Sequence, residues 1–326
     1  NRVWAGIVAS TLRGVAALVP EAAGVQAQRG RALSALGRDS LAGTAFHAAL
    51  RIDPERLSAL VGLAHAHVRA GTPEHSIPLY IRAMVLAPGE VEIPFSLANA
   101  WYEQGQVDRA IELYGVVLDL DPAHTRAHFN LGHAYKALGE LPAAEEAFAQ
   151  ALASDERFYK ARFMRAHVLS LMGRSEDAVA QYRLTLDHCP SYVKAHYNLG
   201  NCYLKSGDLT GAVHCYRAVI KLDKTYDKAW FALGQAYLRA GNLRRARNAF
   251  ADALRLRPDL HSCRLQLARL LEELDRAGEA VLHYRIFLRD ALAGPEHRDV
   301  ERRLGVLRRR LAPPPATQPR MTPLAG

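Results

Sequence analysis

A 34-residue period runs through most of this 326-residue chain, and no insertion breaks its phase. With Ala23 as the first slot, the eighth slot reads Gly30, Ala64, Ala98, Gly132, Ala166, Gly200, Gly234 and Ala268. The twentieth reads Ala42, Ser76, Ala110, Ala144, Ala178, Ala212, Ala246 and Ala280. The twenty-fourth is always aromatic: Phe46, Tyr80, Tyr114, Phe148, Tyr182, Tyr216, Phe250 and Tyr284. Glycine recurs at Gly37, Gly71, Gly105, Gly139, Gly173, Gly207 and Gly241, and proline at Pro54, Pro88, Pro122, Pro190 and Pro258. Self-similarity at such a period is the mark of a solenoid or array. The prior of two compact domains for a chain of this length therefore does not apply.

Each anchor has a physical role. Small residues belong where two helices of a unit cross, because larger ones would push the backbones apart. The aromatic on the second helix fills space between neighbouring units. Glycine ends the first helix in a left-handed turn, and proline stops the second. Asp53-Pro54 and Asp121-Pro122 set an N-cap-type residue beside that stop. No unit can bury its apolar face alone, so the units must stack around a continuous core.

Trp230, Leu233, Gly234, Tyr237, Ala246, Phe250 and Pro258 reproduce the W-x2-L-G-x2-Y…A-x3-F…P pattern. The chain thus resembles the tetratricopeptide repeat (TPR) family over about nine-tenths of its length. The resemblance implies an all-α fold, a right-handed α-solenoid of about eight helix–turn–helix units over residues 23–294. It also implies a concave groove lined by the first helix of each unit.

The ends depart from the period. Residues 1–22 form an apolar segment with three readings: an incomplete repeat ending at Pro20, the tail of a membrane helix, or an interfacial helix. Residues 295–312 place Val300, Leu304, Leu307 and Leu311 on one helical face among arginines, as a basic capping helix would. Residues 313–326 are Pro-rich, with too few apolar groups to order. The net charge is +9, and residues 295–326 hold seven Arg against three acidic residues. The four cysteines form no C-x-x-C pair and read as buried free thiols in a reducing compartment. The expected location is cytoplasmic, with membrane association through residues 1–22 as a variant.

Candidate binding residues lie on the first helices. The fifth slot carries aromatics in succession, Phe95, Phe129, Phe163, Tyr197 and Phe231. They read either as a groove lining that a partner covers or as rings packing along their own helices. The second slot carries Arg126, Lys160, Lys194 and Lys228, a cationic row whose field concave walls would focus. The ninth slot is polar throughout, including Asn99, His133, His167 and Asn201, and suits recognition of an extended peptide backbone. His65, His133 and His167 fall on separate units, too far apart for one metal ion. No phosphate loop, nucleophile elbow or H-E-x-x-H helix is present.

Two subfamily resemblances bear on these positions. Asn99, Asn130 and Lys160 match three of five positions of the carboxylate clamp in peptide-binding TPR co-chaperones, whereas Phe95 and Met164 stand where its Lys and Arg belong. Asn130 and Asn198 match the asparagine ladder in the TPR superhelix of O-linked N-acetylglucosamine transferases, which Met164 and Ala232 interrupt. The expected function is a non-catalytic scaffold, without cofactor, metal or small-molecule substrate. It would hold an acidic or aromatic-containing protein segment, extended or helical, in the groove of units three to seven, rather than nucleic acid. The alternatives are the substrate-recruiting region of a multidomain enzyme, such as a glycosyltransferase, and a peripheral subunit of a membrane complex.

Overall fold

The computed structural model describes residues 23–292 and 294–311. The readings of residues 1–22 and of the Pro-rich tail lie outside the described residues. Among the described residues there are seventeen α-helices and no strand. The first body of the chain ends at His188 and the second begins at Cys189.

The first body holds α1 (Ala23–Ala35), α2 (Asp39–Ile52), α3 (Leu57–Arg69), α4 (Ile77–Leu86), α5 (Glu92–Glu103), α6 (Val107–Leu120), α7 (Thr125–Leu138), α8 (Leu141–Ser154), α9 (Tyr159–Leu171) and α10 (Ser175–His188). The second holds α11 (Val193–Ser206), α12 (Leu209–Leu222), α13 (Asp227–Arg239), α14 (Leu243–Leu256), α15 (His261–Glu273), α16 (Ala277–Asp290) and α17 (Pro295–Leu311). Within each body every helix packs on the next, and first helices of adjacent repeats also touch, as α5 does α7 and α11 does α13. This is the all-α solenoid of TPR helix pairs, with α17 packed on α16.

The turns follow from backbone geometry. Gly37 through Gly241 take φ of 71° to 88° at the seven inter-helix turns, a conformation that strains a residue with a Cβ. The eighth turn uses Asp275 at φ 59°, whose carboxylate pairs with Arg310 of α17 at 2.8 Å. The second repeat deviates: Pro73–His75 form a short 3-10 turn and α4 starts late, with Pro78 in its first turn. Buried Ser76 donates from its hydroxyl to the Pro73 carbonyl at 2.6 Å. That bond lets a hydroxyl occupy a slot that is otherwise alanine.

The aromatic of each second helix is the wedge of the fold. Phe46 is 1% exposed and lies so close to two glycines that neither admits a side chain. A Cβ on Gly30 would sit 2.6 Å from its ring, and one on Gly62 of the next repeat 2.3 Å. The same contact recurs for Gly132 with Phe148 at 2.7 Å and Gly234 with Phe250 at 2.5 Å. One ring thereby fixes both the crossing within its repeat and the approach of the next.

A second device joins consecutive repeats. From the fourth repeat to the eighth, the fourth-slot side chain donates to the carbonyl six residues earlier, in the linker after the preceding helix. His128 Nε2 reaches Pro122 O at 2.9 Å, Arg162 Nη2 reaches Glu156 O at 2.8 Å, and His196 Nε2 reaches Pro190 O at 2.8 Å. Trp230 Nε1 reaches Lys224 O at 3.0 Å, and Arg264 Nη2 reaches Pro258 O. Carbonyls beyond a helix C-terminus need such donors, so any N–H donor serves and the tryptophan of the signature is one of several solutions.

Helix α17 buries Val300, Leu304 and Leu307 in one cluster with Tyr284 and Phe287. Arg303 binds Glu272 at 3.1 Å and Asp299 at 3.0 Å. The four cysteines are not paired in disulfides, and burial pushes the Cys263 thiol up to about 12. Among the described residues no helix is long and apolar enough to cross a membrane.

The wedge yields a test. Gly62→Ala should destabilise the chain by about 1–3 kcal/mol, overpacking outweighing the helix preference of alanine. Adding Phe46→Leu should make the Gly62→Ala change nearly neutral or favourable. Denaturant melts of the four-member cycle would show it, and strictly additive losses would contradict the wedge.

Candidate functional site

The candidate residues divide between the bodies. Phe95, Asn99, Arg126, Phe129, Asn130, His133, Lys160, Phe163 and His167 lie on α5, α7 and α9 of the first; Lys194, Tyr197, Asn198, Asn201, Lys228 and Phe231 lie on α11 and α13 of the second.

The aromatic row is not an open surface along its length. Each fifth-slot ring stands against the wedge aromatic of its own repeat: Phe95 on Tyr114 at 6.1 Å between centroids, Phe129 on Phe148 at 5.7 Å, Phe163 on Tyr182 at 5.7 Å. Tyr197 on Tyr216 and Phe231 on Phe250 follow at 6.0 and 5.9 Å. Phe95 and Phe163 are only 5% and 8% exposed, while Phe129, Tyr197 and Phe231 are half-buried. The expectation of a groove lined by exposed rings is corrected for those two. Tilted contact with a buried ring is better satisfied inside the core than in water.

The cationic row is also uneven. Arg126 is exposed, but its guanidinium pairs with Glu92 at 2.7 Å and stacks 4.9 Å over the Phe95 ring. Its charge is thus offset locally. Lys160, Lys194 and Lys228 are exposed.

Ninth-slot residues have a role that sequence reasoning missed. Asn99 Oδ1 accepts the Tyr114 hydroxyl at 2.6 Å, and Asn201 Oδ1 accepts that of Tyr216 at 2.8 Å. A buried tyrosine hydroxyl needs a partner, and burial raises the pKa of both phenols. The signal in the sequence is partial: Asn99 and Asn201 occur in repeats whose wedge is tyrosine, but so do His65, His167 and Arg269.

In the first body these groups converge. Asn99 Oδ1 also accepts from Asn130 Nδ2 at 2.7 Å, so both its lone-pair directions are used. A cavity of about 480 Å³ opens beside this pair, lined also by His65, Ser96, Phe129, His133 and Glu103. His133 stands edge-on to Phe129 at 4.7 Å and Phe148 at 5.4 Å. Burial, then the charge of Lys136, pushes its pKa down to about 4. His65 and His167 are lowered too, first by burial. The cavity therefore offers neutral imidazoles and amides at ordinary pH, with one carboxylate, Glu103. Among the described residues no group of three His, Cys, Asp or Glu side chains is placed to hold a metal ion.

TPR repeat profiles match residues 98–139 and 200–241, and tetratricopeptide repeat profiles match residues 227–260 and 129–191. No curated protein matches the chain. Similar solved structures include the C-terminal part of a TPR repeat-containing protein from Cytophaga hutchinsonii, at 15% identity and TM-score 0.60, covering 72% of this chain and 99% of that one. A tetratricopeptide repeat protein from Parabacteroides merdae follows at 19% identity and TM-score 0.57, covering 76% and 98%. YrrB, a TPR protein with an unusual peptide-binding site, is similar at 20% identity and TM-score 0.51, covering 56% and 95%. None of these matches bears on the likeness to O-linked N-acetylglucosamine transferases.

Two predictions follow from the geometry. Asn99→Ala should cost about 1–3 kcal/mol by stranding the Tyr114 hydroxyl, and appreciably less in a Tyr114→Phe background. Equal losses in both backgrounds, by denaturant melts, would show that the hydroxyl does not depend on Asn99. For His133, an NMR titration of the imidazole should give a midpoint near 4. Its folded pKa lies below its unfolded value, so it contributes stability above pH 6.5 that is lost as pH falls toward about 4. A midpoint near 6.5 would contradict the burial of the ring.

Proposed function

Because the chain is a tetratricopeptide repeat protein, we infer that it is a non-catalytic interaction scaffold whose first-helix face holds an extended protein segment. The observation that carries this reading is the paired amide beside the cavity. Asn99 has both acceptor directions filled, which leaves its Nδ2 to donate, while Asn130 has donated and leaves its Oδ1 to accept. One donor and one acceptor at neighbouring positions complement the C=O and N–H of an extended backbone. With the amides oriented this way, the Tyr114 hydroxyl and Asn130 Nδ2 both donate to Asn99 Oδ1.

The neutral imidazoles add hydrogen-bonding capacity without charge, and half-buried Phe129 offers an apolar contact. Glu103 disfavours a carboxylate on the segment at this point, so acidic residues of a partner fit better near Lys160. In the second body Tyr197, Asn198, Lys194 and Phe231 supply a related set. YrrB, with its peptide-binding site, supports the class of function but shares only the fold with this chain.

A displayed library of random peptides, selected on the wild-type chain, tests the reading. Selected peptides should bind the Asn130→Ala protein about ten-fold more weakly, the value of roughly one to two lost hydrogen bonds, with helical circular dichroism unchanged. Peptides that bind both proteins equally, or a failure to select any, would overturn it.

A further inference from the structure

We propose that the outer side of the sixth and seventh repeats carries a second docking surface, for an acidic protein segment anchored by one bulky apolar side chain. The site is a cavity of about 490 Å³ enclosed by α12, α13 and α14. Trp230, Leu233 and Tyr237 of α13 line it, with Ile220 of α12. Successive helical residues turn by roughly 100°, so Trp230, Leu233 and Tyr237 share one face of α13, nearly opposite that of Lys228 and Phe231. This surface is therefore distinct from the first-helix groove and does not depend on the reading given to it.

The floor is apolar and fixed. The Trp230 indole N–H is already bonded to Lys224 O at 3.0 Å, which leaves its ring face as the exposed chemistry. Leu233 is buried, and Tyr237 is half-buried with Arg245 stacked 5.8 Å over its ring. An apolar floor this size takes one large side chain with adjoining backbone.

The rim is cationic. Arg217, Lys221, Lys224 and Arg245 all line the cavity. Its one acidic group, Asp252, is held by Arg255 at 3.3 Å. The concentration of charge is local to this junction and is not a property of the repeat. The slot of Lys224 holds Pro54, Pro88, Pro122, Pro190 and Pro258 in five other repeats and Glu156 in another; that of Lys221 also carries Arg51, Arg255 and Arg289, but none of those repeats has a lysine at the Lys224 slot as well. Replacing a helix-stopping proline by lysine gives up chain stiffness and adds a fourth charge to the rim. Four like charges around a cavity repel one another, and an anionic occupant relieves that repulsion. A phosphate backbone would meet the charges but leave the indole and leucine floor uncovered. A segment bearing acidic residues on either side of a Leu, Phe or Trp meets both.

The test uses synthetic 15-residue peptides in which four Glu flank a central Trp, Leu, Phe or Ser, titrated by fluorescence anisotropy against the full chain. The three peptides with an apolar centre should bind at least ten-fold more tightly than the Ser peptide. Lys221→Glu with Lys224→Glu, both exposed and outside the core, should reduce binding at least ten-fold while the circular dichroism spectrum is kept. Asn130→Ala should leave it unchanged. The proposal fails if none of the peptides binds, if the Ser peptide binds as well as the others, or if the double variant binds normally. It fails also if random-sequence DNA binds more tightly than every peptide and competes them away.

Discussion

The architecture rests on one contact, the aromatic ring of a second helix set against glycine or alanine on a first helix. At Phe46 the ring meets two glycines, Gly30 in its own repeat and Gly62 in the next, both too close to accept a Cβ without movement. Helices packed through so small a residue approach closely, and the ring excludes water from the crossing. Because the ring spans two repeats, the same contact that closes one unit positions its neighbour. Stability in such an array is the sum of units and their interfaces, and here a single side chain contributes to both.

The wedge also determines the chemistry of the first-helix face. At Tyr114 and Tyr216 the wedge hydroxyl is held by an asparagine of that face. Asn99 is oriented by Tyr114, and Asn130 is oriented in turn by Asn99. The polar groups offered to a partner are thus held by the core beneath them, which lowers the ordering cost of binding. The histidines of the same face are kept neutral by partial burial, so the face can bond to a backbone without presenting further cations to it.

Much of this was legible in the sequence. The invariant period located the helix pairs, because each slot has one packing environment and admits few residue types. Turn glycines were readable for the same reason, although Asp275 takes the left-handed turn without being glycine. What was not legible was the direction of side chains on the groove face. Phe95 and Phe163 were read beside Phe129 as one row, but the first two are buried against Tyr114 and Tyr182 while Phe129 is half-buried. Arg126 was read as a groove cation, yet Glu92, 34 residues earlier, neutralises it, a pairing visible only when adjacent first helices are set side by side. The fourth-slot donors escaped notice because His, Arg and Trp look unrelated until their common target, a linker carbonyl, is seen. The charged cavity at the junction of the sixth and seventh repeats was hidden similarly, its residues being scattered from Arg217 to Asp252.

The central claim is that an extended protein segment lies along the first helices and is gripped by groups that the tyrosine wedges orient. Hydrogen–deuterium exchange on the chain, with and without a selected binding peptide, addresses it most directly. The account predicts added protection in α5 and α7, around Asn99 and Asn130, with α6 and α8 little changed. Protection confined to the second helices, or none in α5 and α7 at saturating peptide, would contradict it.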